Sequence, residues 1–167
     1  KFIHFRNGYH GDTSGAMSVC DPDEGMHAIF EDYLSKNFFL ELPYNEKLEK
    51  NLENILRKNK DKIAGIIIEP LVQCAGGMKI YPPKILNKIY QLKKKFNTLL
   101  ILDEIATGFG RSGTMFAFHQ SNAKPDIVCI GKALTGGVMS LSATVSTKKI
   151  FNAFLGKREN IEFMHGP

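Results

Sequence analysis

Behind Asn45, whose side chain suits a helix N-cap, the apolar positions Leu48, Leu52, Ile55 and Leu56 recur at helical spacing. The run Ile63-Ala64-Gly65-Ile66-Ile67-Ile68 is short and β-branched and reads as a buried strand. Pro82-Pro83 opens a second helix with Ile85, Leu86, Ile89, Tyr90 and Leu92 on one face, proline being tolerated in a first helical turn. Residues 98–102 and 127–130 predict two more strands. Leu141-Ser142-Ala143-Thr144-Val145-Ser146 alternates like a further one, and 148–154 returns to helix. Strand runs that are apolar on both faces and separated by helices predict an α/β domain with a mostly parallel sheet flanked by helices. Residues 1–45 are less regular, with a glycine-dense turn, Gly8-Tyr9-His10-Gly11-Asp12, and a Phe-rich patch at Phe38-Phe39. No repeat or linker interrupts the chain, which predicts one domain or most of one.

Composition changes this picture little. The 167 residues carry 22 Lys+Arg against 17 Asp+Glu, a net charge of +5 that raises the question of nucleic acid. The lysines are scattered along helical segments, with clusters at Lys58-Asn59-Lys60 and Lys93-Lys94-Lys95, so solvated helix faces are expected and no nucleic-acid partner. No apolar run approaches the ~20 residues that span a bilayer, and no membrane association is expected. The first six residues hold no signal-peptide core. Three cysteines, Cys20, Cys74 and Cys129, lack C-x-x-C spacing and fit a reducing, cytoplasmic setting better than a disulfide framework or a metal site. A start at Lys1 and an end at His165-Gly166-Pro167, straight after Phe163-Met164, are expected of a fragment of a longer chain.

Candidate chemistry gathers where the strands end. The first strand runs into Glu69-Pro70, the second into Asp103-Glu104 and the third into Gly131-Lys132. In an open parallel sheet ligands bind outside the carboxyl ends of the strands, so neighbouring strands would bring Glu69, Asp103 and Lys132 to one crevice. A buried lysine with a lowered pKa forms Schiff bases with carbonyls. With pyridoxal phosphate, an aspartate keeps the pyridine nitrogen protonated. On spacing alone, the plainer reading of Lys132 as a surface lysine and Asp103 as a helix cap is favoured. Glycines follow each point, at Gly76-Gly77, Gly108 with Gly110, and Gly136-Gly137, as close-approach turns or as loop punctuation. The letters G-x-G-x-x-G at Gly108, Gly110 and Gly113 do not directly follow a strand, and no nucleotide site is expected there.

Four ordered motifs go further: Tyr9-His10-Gly11-Asp12-Thr13, Glu69-Pro70-Leu71-Val72-Gln73, Asp103-Glu104-Ile105-Ala106-Thr107-Gly108-Phe109-Gly110-Arg111 and Gly131-Lys132-Ala133-Leu134-Thr135-Gly136-Gly137. Over essentially its whole length the chain resembles the class III aminotransferases, fold-type I enzymes that use pyridoxal 5′-phosphate. The resemblance implies that residues 1–167 form the central part of the cofactor-binding large domain. An N-terminal segment with the phosphate-binding glycine-serine turn, and a C-terminal small domain with a carboxylate-binding arginine, would lie outside this sequence. The segment Phe163-Met164-His165-Gly166-Pro167 favours the member that transfers an amino group from S-adenosylmethionine to 8-amino-7-oxononanoate in biotin biosynthesis. Members using ornithine or an ω-amino acid, and a truncated non-catalytic product, are the alternatives.

Carried over by motif, Lys132 resembles the Schiff-base lysine and Asp103 the partner of the pyridine nitrogen. Tyr9 resembles the aromatic residue that stacks on the cofactor and lines the substrate pocket, a sensible use of an aromatic face. Ile105 would pack on the opposite ring face. Glu69 resembles a glutamate near the cofactor and substrate, and His10 stands beside Tyr9 as either a cofactor-site residue or a core histidine. Asp12 and Arg111 look like substrate-orienting polar groups, with a structural ion pair as the alternative for Arg111. Gly166 resembles a substrate-contacting glycine, and Pro167 opens a loop that reaches the cofactor phosphate of a neighbouring subunit, which implies a homodimer. Cys74 stands where the family commonly has glycine, while His4, His27 and His119 read as core histidines.

Overall fold

A computed structural model describes residues 1–24 and 26–155. Gly166 and Pro167, and with them two of the expected substrate and cofactor contacts, lie outside the described residues. Eight strands and four α-helices follow one another along the described chain. Strands β1 (Phe2–Phe5), β2 (Phe38–Leu40), β3 (Gly65–Ile68), β6 (Leu99–Asp103), β7 (Ile127–Ile130) and β8 (Ala143–Ser146) form one sheet in the order β2-β1-β3-β6-β7-β8. All its pairings are parallel except β7 with β8. A two-strand antiparallel ribbon, β4 (Val72–Gln73) and β5 (Lys79–Ile80), sits between β3 and the next helix.

The helices form where periodicity and capping coincide. Helix α1 is a single turn, Ser14–Met17. Helix α2 spans Glu46–Lys58, and the Asn45 side chain accepts from Leu48 N at 3.0 Å. Its acidic first turn and basic last turn complement the helix dipole. Helix α3, Pro83–Phe96, begins on proline and ends at Asn97 in the left-handed conformation, φ 50°. Helix α4 is short, Lys148–Ala153. Leu52 and Leu56 of α2 and Ile85, Leu86 and Ile89 of α3 bury themselves against Ile3, Phe5, Ile66, Ile68, Leu100 and Leu102, which alternate onto one sheet face. Each such side chain contributes about 1.5–3 kcal/mol of burial, so this face carries the stability of the domain.

The mostly parallel α/β sheet agrees with the sequence reading, and one detail adds to it. The irregular N-terminal stretch contains strands β1 and β2. Three or four residues are too few to display a period, and both strands exist through non-local pairing, Ile3 with Phe38 and Ile66. Among the described residues, helices α2 and α3 cover one face of the sheet. On the other, Ile67, Ile101, Ile127 and Cys129 are only half-buried, and all four residues of β8 are exposed. Among the described residues no helix is long and apolar enough to cross a membrane.

Candidate active site

Strands β3, β6 and β7 are consecutive parallel neighbours, so their carboxyl ends open at one edge of the sheet. Glu69 follows β3, Asp103 closes β6, and Lys132 comes two residues after β7. The best-defined pair is Asp103 with His10. Asp103 Oδ2 lies 2.8 Å from His10 Nδ1, with the side chains 8% and 3% exposed. Asp103 Oδ1 accepts from Ile105 N at 3.1 Å. His10 is therefore a buried partner of the candidate carboxylate. His10, Asp103 and Ile105 together border a cavity of about 850 Å³ that runs down the half-covered sheet face.

Glu69 is buried, and its carboxylate serves two backbone donors: Tyr9 N at 3.1 Å and Cys74 N at 2.9 Å. It clamps the Tyr9 turn to the start of the glycine loop. Burial pushes its carboxyl above the ordinary range, against the two N–H groups that favour the anion. That loop comes so close to the first strand that a Cβ on Gly76 would lie 2.1 Å from Asn7 O. The Tyr9 hydroxyl donates to Asp12, 2.9 Å from both carboxylate oxygens, and that bond raises the phenol pKa.

Lys132 departs from expectation. It is exposed among the described residues, not buried, because β8 and the 136–142 loop beside it are themselves uncovered. Its backbone is left-handed, φ 44°, a conformation that costs a non-glycine residue about 1 kcal/mol or more and that gathers at functional sites. Lys132 and Asp103 also border different cavities. Lys132 shares one of about 930 Å³ with Arg111, Gly136 and Gly137. Gly131 stands between residues of the two linings: a Cβ there would lie 3.6 Å from Ile105 Cγ2 of one and 3.6 Å from Ser142 Cβ of the other. Arg111 has no carboxylate partner among the described residues, so the ion-pair alternative finds no support. The thiol of Cys74 lies in the field of Glu69, Lys132, Asp103 and Arg111, and burial pushes its pKa up.

Two residues of this region were not foreseen. His27, read as a core histidine, places Nε2 at 2.9 Å from Asp12 Oδ1 and stacks on the Tyr9 ring, centroids 6.0 Å apart. No local pattern marks it, since its partners lie in the turn at 9–12. Glu104 is fully buried: Oε2 accepts from Thr107 Oγ1 at 2.6 Å and Ala117 N at 3.1 Å, and Oε1 from Phe118 N at 2.9 Å. Strand alternation sends it opposite Asp103, and it closes the loop that carries Arg111. Its position next to Asp103 was the signal available. Among the described residues no cluster of metal-ligating side chains occurs.

Comparison with known proteins bears on this arrangement. The family model for "Aminotransferase class-III" matches residues 1–167. The chain is 44% identical over 174 residues to the adenosylmethionine-8-amino-7-oxononanoate aminotransferase of Buchnera aphidicola subsp. Schizaphis graminum, covering all of this chain and 40% of that protein. It is 44% identical to the Staphylococcus aureus enzyme of the same name, covering 99% of this chain and 39% of that one. Among solved structures, the Methanocaldococcus jannaschii enzyme of that name superposes with a TM-score of 0.88 at 37% identity, covering 99% of this chain and 39% of the other. The chain thus spans about 40% of the length of the curated relatives it matches. With its whole length matched by the family model and its strand-end carboxylate, lysine and arginine carried on the corresponding motifs, the chain belongs to the class III aminotransferases.

Proposed function

We propose that residues 1–167 are the central part of the large, cofactor-binding domain of a transaminase whose full-length form moves an amino group from S-adenosylmethionine to 8-amino-7-oxononanoate, giving 7,8-diaminononanoate. The names of the relatives support that substrate pair. The single observation that carries the reading is the buried Asp103–His10 pair at the end of β6, one strand from Lys132. Class III aminotransferases depend on pyridoxal phosphate, and the residues present fit it. Arg111 and Lys132 border one cavity that no Asp or Glu lines among the described residues, which suits an anionic ligand. When bound, the cofactor supplies an electron-withdrawing ring that stabilises the substrate carbon from which a proton is taken.

The chain's own residues supply the rest. Asp103, oriented by His10, would face the ring nitrogen and keep a proton there. Lys132 would hold the cofactor, and its Nζ would be the group that takes and returns the substrate proton. Tyr9 and Ile105 provide aromatic and apolar surface against the ring, while Glu69 fixes the Tyr9 backbone. Asp12 and Arg111 orient substrate charge. The full-length protein is a cytoplasmic homodimer in this reading, without nucleic-acid or membrane partners.

The test is borohydride reduction after incubation of the purified chain with pyridoxal phosphate, followed by peptide mass mapping. A single pyridoxyl adduct on Lys132 is expected, and its loss in Lys132→Ala. Label spread over the many exposed lysines would refute the assignment. With the full-length enzyme, a faster reaction with ornithine or an ω-amino acid would move it to another branch of the family.

A further inference from the structure

Arg111 reaches the Lys132 cavity from the middle of a strained loop. Residues 105–116 leave the end of β6, turn through Phe109 at φ 61°, Gly110 at φ 87° and Gly113 at φ 95°, and return into the 3-10 turn Ala117–Gln120. The left-handed conformation is costly for a residue with a side chain such as Phe109, and it persists only where the surroundings over-determine it. Arg111 itself is exposed and has no carboxylate partner among the described residues, so the backbone of this loop decides where its guanidinium stands.

Glu104 supplies the constraint, fully buried and touching neither of the two cavities that flank Gly131. Its bonds fall into two kinds. Oε2 accepts from Thr107 Oγ1 at 2.6 Å, which closes only the first turn of the loop. Oε2 also accepts from Ala117 N at 3.1 Å, and Oε1 from Phe118 N at 2.9 Å, joining residues 13 and 14 positions apart. One carboxylate thus ties the departure of the loop to its return. The limbs it brings together are in close contact: Phe109 meets Phe116 edge-on at 5.5 Å, and a Cβ on Gly108 would lie 3.3 Å from Phe116 Cδ1. Gln120 carries the constraint to the residue after Arg111, its Nε2 donating to Ser112 O at 2.8 Å.

We propose that Glu104 is a positioning residue for the cavity that Arg111 and Lys132 share: by tying Ala117 N and Phe118 N to the end of β6, it holds Arg111 where the guanidinium meets the anionic group of a substrate. The inference rests on the transaminase reading above and adds to it a buried residue that acts only through Arg111.

The experiment uses the full-length enzyme loaded with pyridoxal phosphate, with S-adenosylmethionine and 8-amino-7-oxononanoate as substrates. Melting temperature, kcat and both KM values are measured for Thr107→Val, Glu104→Gln, Arg111→Ala and Glu104→Gln/Arg111→Ala. Thr107→Val removes the near bond alone; it should lower the melting temperature and leave both KM values within about twofold of the parent. Glu104→Gln keeps one acceptor oxygen and sets an amide N–H against a donor of the loop, so the return limb loosens. It should raise the same KM that Arg111→Ala raises, by about fivefold or more, with kcat within about threefold, as misplacing a positioned group does. In the Arg111→Ala background Glu104→Gln should change that KM less than about twofold, because the group it positions is already gone. KM changes that follow the melting temperature across Thr107→Val and Glu104→Gln, equal effects in both backgrounds, or no rise of either KM in Arg111→Ala would overturn the proposal. If Glu104→Gln does not fold, the cycle is read on Glu104→Asp, whose side chain is one methylene too short to span the loop, and equal effects in both backgrounds overturn it there too. A Lys132→Ala enzyme that still accepts a reducible cofactor label at one site would instead overturn the transaminase reading, whatever Glu104 does.

Discussion

Mild acid should destabilise this fold through one histidine. His4 lies in β1 at 3% exposure, and burial is the main reason its pKa falls from 6.5 to about 4. His10 pushes in the same direction, while Asp21 and the backbone of Val19 and Cys20 oppose it. Nδ1 of His4 has no hydrogen-bond partner among the described residues, so a proton there would be buried without an acceptor. The sign follows from linkage. The folded chain holds this proton more weakly than the unfolded chain, so between pH 6.5 and about 4 the unfolded state binds more protons. The stability tied to neutral His4 is complete above pH 6.5, drains away as pH falls through that window, and is gone by about 4. At 1.36 kcal/mol per unit, the shift corresponds to roughly 3 kcal/mol.

Replacing His4 with glutamine removes the titration and keeps a polar side chain. Urea unfolding at a series of pH values, followed by far-UV circular dichroism and the fluorescence of the five tyrosines in a chain without tryptophan, measures the difference. Glu69 titrates with the opposite sign, its raised pKa costing stability as pH rises, but it is present in both proteins and cancels. The parent should lose roughly 3 kcal/mol more than His4→Gln between about pH 7.5 and 4. Parallel stability curves would show that His4 is not held neutral by burial.

Two stability predictions concern the loops that frame the site. Glu104→Leu leaves Thr107 Oγ1, Ala117 N and Phe118 N without their acceptor and should cost about 3 kcal/mol or more, with Glu104→Gln recovering part of it; equal melting temperatures for parent and Glu104→Leu would refute that account. Gly76→Ala puts a Cβ 2.1 Å from Asn7 O and 2.6 Å from Asn7 Cβ, so the loop must withdraw, at a cost of about 1–3 kcal/mol. Gly15→Ala, in α1 with nothing within 4 Å of the new Cβ, should be neutral or slightly stabilising in the same melting assay.

Period and caps made α2 and α3 legible in the sequence, because the information for an amphipathic helix is local: Leu52 and Leu56, or Ile85 and Ile89, face the sheet whatever that sheet's order. The central strands were legible for a related reason, since short apolar runs bounded by Glu69, Asp103 and Gly131 leave few other structures open. The motifs at Tyr9, Glu69, Asp103 and Lys132 carried the family, which the family model shows over the whole chain. Tertiary structure decided the rest. Strands β1 and β2 exist only through partners far along the chain, and no period can register in so few residues. Pairing His10 with Asp103 brings together residues 93 positions apart, and Asp12 with His27 links two turns across a helix. The exposure of Lys132 was likewise invisible in its motif, because burial depends on which segments cover β8 and the glycine loop. Local pattern determines which face a side chain takes within its element; the packing of distant elements determines what that side chain meets.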